Sequence, residues 1–389
     1  MTASPAAAVA IPFARPWITD REREAVMEVL HRDVLTHGPE NQSFEREFAA
    51  FIGGGHCVAM SSCMAALHLA YLQLGVGPGD DVLVPAQTHV ATAHAVEAVG
   101  ARPIFIDCVP ETGNIDPSLL KAHLTPATKA VSLVHFLGIP CPMDEIVSFA
   151  KRHDLFVVED CALAVGATYK GTHVGLAGDV GCFSFYPVKH LTTGDGGMLV
   201  TRHADLAARV TSARGFGVDR TFVDRTIPGL YDVPSFGLNY RMSDINAALG
   251  RVQLSRVREI LDRRRRNFAR LKSLLEPAKN VRILDSHDSD CRSSHYCLTA
   301  VLTGPAAAER NAVIGRLRAA GVGTSIYYPQ PVPRMTYYAT KYGYDPAGYP
   351  HATAISDHSI ALPVGPHLSE ADVDVVGHAF LKALEGIAQ

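Results

Sequence analysis

Between Cys57 and Thr201 short apolar runs alternate with longer helical patterns, and this alternation restricts the fold of the 389-residue chain more tightly than any other feature. CVAM is followed by MAALHLAYLQL and DVLVP by VATAHAVEAVG; PIFID, AVSLVH, LFVVED, CFSF and GMLVT continue the series. A strand buried on both faces reads as an unbroken apolar run, and helices between such strands cover both faces of a mainly parallel sheet. The pattern predicts an α/β fold. In that architecture ligands bind beyond the carboxyl ends of the strands, so the residues directly after each run are the ones to examine.

The flanks read more simply. Thr19 and Glu22 form a capping box in front of Val26, Val29 and Leu30, and Phe44, Phe48, Phe51 and Ile52 recur at the spacing of a core-facing helix. After Arg241 the stretch MSDINAALGRVQLSRVREILDRRRRNFARLKSLL reads as one long helix, with Arg263 to Arg266 on a solvated face. Beyond it come a strand near HYCLTAVL, a helix near ERNAVIGRLRAAG, a proline-rich loop from Tyr327 to Pro333 and a last helix capped at Ser369. The expected division is an arm and first helix over 1–30, a large α/β domain over 31–245, and a smaller C-terminal α+β domain over 246–389.

Composition narrows the partners. A net charge of -3 provides no basic field for nucleic acid. The eight cysteines are scattered, with no CxxC pair and no His/Cys cluster at zinc-finger spacing, so neither a metal nor a disulfide framework is expected. No apolar stretch approaches the about 20 residues of a membrane helix. The first residues, interrupted by Pro5 and Pro12, lack a signal-peptide pattern, which makes a cytoplasmic protein the expectation.

Three segments can do chemistry. LFVVEDCALAVGA ends a strand in Glu159 and Asp160, placing carboxylates at the sheet rim; taken alone, Asp160 reads equally well as a helix cap. In FSFYPVKHLTTGDGG, Ser184 lies on a strand and Lys189 follows Pro187 among apolar neighbours that favour an uncharged, nucleophilic amine; the plainer alternative is a surface lysine lying over apolar side chains. In VAMSSCMAALHLA, Ser61, Ser62, Cys63 and Met64 form a turn into a helix whose free N–H groups suit an anion, although serines there are more often simple caps. Jointly, an imine-forming lysine, a strand-end carboxylate and a phosphate-binding helix start are the parts a pyridoxal phosphate site requires.

The order and wording of these segments resemble the DegT/DnrJ/EryC1/StrS family of sugar aminotransferases over nearly the whole chain. The matching stretches include LTHGPENQSFEREFAAF, VVEDCALAVGATYKGTHVGLAGDVGCFSFYPVKHLTTGDGGMLVT, LNYRMSDINAALGRVQL and YYPQPVP. The resemblance implies a type I aminotransferase fold with a seven-stranded sheet, pyridoxal phosphate as cofactor, and a homodimer with shared active sites. It further implies transfer of an amino group from an amino acid, glutamate being the expected donor, to a keto sugar, most simply a nucleotide-linked one. Lys189 resembles the Schiff-base lysine, Asp160 the partner of the pyridine nitrogen and Ser184 a phosphate ligand. Asn239 resembles the asparagine that reaches the phosphate from the neighbouring subunit.

His89 stands where the family often has a stacking aromatic. Cys63-Met64 replaces a common Gly-Thr beside Ser62, and Leu163 stands where a polar cofactor contact is usual. Tyr186, His190, Arg241 and Tyr327 are the candidate substrate contacts, with Tyr327 and Pro333 at positions often held by histidines. Related readings are a sugar 3-dehydratase, whose members carry histidine at the lysine position, an aminotransferase for a cyclitol or other cyclic ketone, and a non-catalytic cofactor-binding regulator.

Overall fold

The computed structural model describes residues 10–36, 38–220 and 226–387. Residues 1–9, within the expected N-terminal arm, lie outside the described residues. Each of the seven apolar runs becomes a strand: β1 (His56–Met60), β2 (Asp81–Pro85), β3 (Arg102–Ile106), β4 (Thr128–Val134), β5 (Phe156–Asp160), β6 (Val180–Ser184) and β7 (Gly197–Thr201). They form one sheet in the order β1-β7-β6-β5-β4-β2-β3. Only β7 runs against the rest, pairing antiparallel with both β1 and β6. β2, β6 and β7 are buried along their whole length and β4 everywhere but at Lys129, which is why they read as continuous apolar text.

Helices cover the sheet. The capping box at Thr19 and Glu22 starts α1 (Asp20–Leu30), and α2 (Pro39–Ile52) buries Phe44 and Phe48 completely. α3 (Cys63–Gln73) follows β1, α4 (Val90–Ala98) follows β2, α5 (Met143–Arg152) precedes β5, and α6 (Ala204–Ala213) follows β7. α5 carries Asp144 and Glu145 in its first turn and Lys151 and Arg152 in its last, matching the helix dipole at both ends.

The long helix expected after Arg241 is two helices, α7 (Asp244–Ser255) and α8 (Val257–Leu275). The break is at Arg256, where the backbone leaves helical geometry at φ -107, ψ 4. Its guanidinium donates to buried Glu22 at 2.8 Å and lies 4.1 Å from the Trp17 ring. The arginine run also departs from expectation. Arg264 is buried and donates to the Tyr296 carbonyl at 2.7 Å, and Arg263 lies 4.5 Å from the Trp17 ring.

The C-terminal part builds its own antiparallel sheet from β8 (Val281–Ile283), β9 (Leu298–Leu302) and β10 (Ser359–Leu362). A second core of Leu298, Val313, Leu317, Ile360, Val376 and Phe380 lies between this sheet and α8, α9 (Arg310–Ala319) and α12 (Glu370–Leu384). Ser369 caps α12 as expected, its hydroxyl accepting from Asp372 N–H. Two short helices the sequence did not signal, α10 (Thr336–Tyr342) and α11 (Pro350–His358), precede β10. No helix among the described residues is long and apolar enough to cross a membrane.

Candidate active site

Strand register sets the site. Met60 at the end of β1 and Ser184 at the end of β6 both pair with Gly197, and Asp160 at the end of β5 pairs with Cys182. The SSCM turn, Ser184 and Asp160 therefore stand along one edge of the sheet. Gly197 permits the close packing: a Cβ there would meet the Ser62 carbonyl carbon at 2.5 Å and the Cys63 nitrogen at 2.6 Å.

Side chains alternate along a strand, so Glu159 and Asp160 leave β5 on opposite faces. Glu159, read from the sequence as a rim carboxylate, instead points into the protein. His135 Nδ1 accepts the Cys141 N–H, which makes Nε2 the protonated nitrogen, and Nε2 donates to Glu159 at 2.9 Å. Gly175 and Gly178 N–H groups donate at 2.7 and 2.5 Å. Burial opposes the charge on Glu159, but these donors prevail and hold its carboxyl below the ordinary range. The ligand atoms of His135, Glu159 and Cys161 lie within 4.8 Å of one another, a spacing a metal could use, yet internal donors already occupy this carboxylate. Asp160 faces the site. Its Oδ1 accepts Ala162 N–H at 3.0 Å and its Oδ2 accepts the Thr92 hydroxyl at 2.8 Å.

Lys189 sits in a turn that its own N–H closes onto the Tyr186 carbonyl at 2.9 Å. Its Nζ lies 5.4 Å from the centre of the Tyr296 ring, whose hydroxyl is 2.7 Å from that of Tyr327. Burial pushes the lysine's proton affinity down, opposed by Asp160, Cys63 and Cys297. Imine formation needs the amine lone pair, and burial moves Lys189 in that direction. His89 caps α4 by accepting the Ala91 N–H, and its ring centroid is 5.5 Å from that of Tyr328. Burial lowers its pKa and favours a neutral ring.

Ser62 caps α3, accepting Ala65 N–H at 3.1 Å. The N–H groups of the first helical turn, beginning at Cys63 and Met64, have no acceptor within the helix and suit a phosphate. The Cys63 side chain turns inward, 3.6 Å from the Cys182 carbonyl, and burial with nearby Asp160 and Cys182 holds the thiol protonated. Met64 is partly exposed. Ser184 is buried, with its Oγ 3.4 Å from Tyr186 N–H. This set fits pyridoxal phosphate: Asp160 has acceptor capacity left beside its contacts with Ala162, Thr92 and Cys63, Lys189 is poised for an aldehyde, and a helix start lies at the same edge.

Other candidates are placed differently. His190 is 3% exposed, its Nε2 held 3.0 Å from the Ser294 carbonyl, so it faces the interior and offers no surface to a substrate. Leu163 is buried in the main core, its carbonyl accepting from Ser294. Tyr186 is exposed. Asn239 is also exposed and accepts from Arg241 Nε at 2.9 Å, while Arg241 pairs with Met60 across an isolated β-bridge and lies 5.0 Å from the Phe216 ring. Sequence reasoning passed over Thr92, Tyr296 and Tyr328. Thr92 lies one helical turn after Thr88, a spacing visible in THVAT, but its target Asp160 is 68 residues away.

Residues 16–381 match the DegT/DnrJ/EryC1/StrS aminotransferase family. The chain belongs to that family. This aminotransferase is 38% identical over 380 residues to the spore coat polysaccharide biosynthesis protein SpsC of Bacillus subtilis, covering 97% of each chain. It is 37% identical to GDP-perosamine synthase of Caulobacter vibrioides, over 94% of this chain and 96% of the relative. Among solved structures, Spr1654 of Streptococcus pneumoniae in its PLP form superimposes with a TM-score of 0.91 at 30% identity, covering 97% of the aminotransferase and 100% of that chain. The type I aminotransferase fold and the mainly parallel seven-stranded sheet are thus as expected, and the aminotransferase is an enzyme that depends on pyridoxal phosphate.

Proposed function

We propose that this enzyme transfers an amino group from glutamate to a nucleotide-linked keto sugar, with Lys189 and Asp160 as its catalytic residues. The observation that carries the reading is the Lys189 amine, shifted by burial toward its uncharged form beside the Tyr296 ring. GDP-perosamine synthase is a relative whose name specifies an amino sugar on a nucleotide, which supports the substrate class.

When bound, pyridoxal phosphate supplies an aldehyde that accepts an amine and a ring that takes up an electron pair. Lys189 Nζ offers its lone pair to that aldehyde. With the cofactor and a donor bound, Lys189 Nζ would be placed to take the proton from the donor's Cα and pass it to the cofactor carbon, and to run the same transfer in reverse toward the sugar carbon. Asp160 would keep a proton on the ring nitrogen by accepting its hydrogen bond. The first turn of α3 and Ser184 would hold the phosphate, while the Tyr296 ring, 5.4 Å from Nζ, shields the amine from water.

The active unit in this reading is a homodimer. Asn239 is exposed within one chain, as a side chain serving its partner's site would be. Phe216, Ile227, Leu230, Val233 and Phe236 are exposed nearby in sequence, a run of apolar surface that a second subunit would cover. The test is a half-reaction followed by a substrate panel. Glutamate added to the cofactor-loaded protein is expected to remove its visible absorbance, and a nucleotide-linked keto sugar to restore it with formation of the amino sugar. No donor producing that change would favour a non-catalytic regulator, and restoration only by free cyclic ketones would exclude the nucleotide.

A further inference from the structure

Asp160 is 4% exposed, and its contact with Thr92 continues beyond it. The Thr92 hydroxyl, which donates to Asp160 Oδ2 at 2.8 Å, is also 2.8 Å from the Thr88 hydroxyl, and both threonines are at most 1% exposed. A threonine carries one O–H proton, and a carboxylate that receives a ring N–H can only accept. The Thr92 proton therefore points at Asp160, and Thr88 donates to the Thr92 oxygen. Two aligned O–H dipoles end on one carboxylate oxygen away from water, where each bond polarises the next. The i, i+4 spacing across the start of α4 puts both hydroxyls in line.

We propose that Thr92 is a positioning residue for amino transfer, fixing the Asp160 carboxylate toward the cofactor's ring nitrogen through a directed Thr88–Thr92 hydroxyl chain. The inference rests on the proposed role of Asp160. Without the Thr92 hydroxyl, only the Ala162 N–H and the long-range Cys63 thiol remain on that carboxylate. It can then rotate, and the ring nitrogen holds its proton less firmly.

The test compares wild type, Thr92→Val and Thr92→Ser, each loaded with pyridoxal phosphate labelled with nitrogen-15 in the ring. Thr92→Val nearly conserves shape and removes the donor. It is expected to lower kcat about 10- to 100-fold, the scale of one hydrogen bond to an ion, with KM little changed. Its ring-nitrogen resonance is expected to move toward that of an unprotonated pyridine. Thr92→Ser restores the hydroxyl and is expected to recover most of both. A Thr92→Val resonance and kcat equal to wild type, or Thr92→Ser as impaired as Thr92→Val, overturns the proposal. Should Thr92→Val not fold, Thr88→Val decides: a smaller resonance shift in the same direction supports the chain, and none overturns it. Failure of wild type to react with any amino donor would instead overturn the functional reading itself.

Discussion

Glu159 and Asp160 leave the same strand in opposite directions, and the pleat decides which of them does chemistry. Glu159 is spent on His135 and two glycine N–H groups, whereas Asp160 retains acceptor capacity at the sheet edge. Their amide variants should therefore fail differently. Glu159→Gln removes the charge that three buried donors share and is expected to cost about 3 kcal/mol of stability in a urea melt. Asp160→Asn should melt like wild type but lose roughly a hundredfold to a thousandfold in kcat, the range of one aligned electrostatic contact. The reverse pattern would exchange the two roles. Both carboxylates were visible in LFVVED, but neither the inward turn of Glu159 nor the Thr92 contact was. His135 and Thr92 come from other strands and helices, and one sequence does not reveal which distant donors will meet a given oxygen.

Elements show the same division between local and distant causes. All seven strands of the main sheet were legible because each is a self-contained apolar run, and the α1 and α12 caps because their partners lie three residues apart. The break between α7 and α8 was not legible, since its cause is Arg256 turning toward Glu22 and Trp17 on the far N-terminal segment. Arg264 was misread for a similar reason: in a run of four arginines only packing against Tyr296 singles it out. β8 and β10 have three and four residues, too few to display a period. Arg256→Ala would leave Glu22 buried without its cation and is expected to cost about 3–5 kcal/mol. Trp17 is the only tryptophan, so its emission reports on this junction directly. A red shift is expected in the variant, and unchanged emission and stability would show that the clasp contributes nothing.

At the scale of the whole molecule, the site as proposed needs a second copy. Lys189 and Asp160 stand at the strand ends, and the proposed phosphate contact Asn239 is exposed on the segment that follows Gly237. Two inactive variants should then complement. Subunits carrying Lys189→Ala mixed equally with subunits carrying Asn239→Ala give heterodimers in which one of the two sites has both residues. After unfolding and joint refolding, about a quarter of wild-type activity is expected from random pairing of a two-fold dimer. No recovery would place Asn239 in the service of its own chain or of none.

Every step assigned to this enzyme passes through the amine of residue 189. The most direct measurement is borohydride reduction of the cofactor-loaded protein, followed by digestion and mass spectrometry of the peptide that contains Lys189. The expected result is a pyridoxyl phosphate adduct on that one side chain, absent from the Lys189→Ala protein. An adduct on another lysine, or none on protein that still binds the cofactor, would contradict the account.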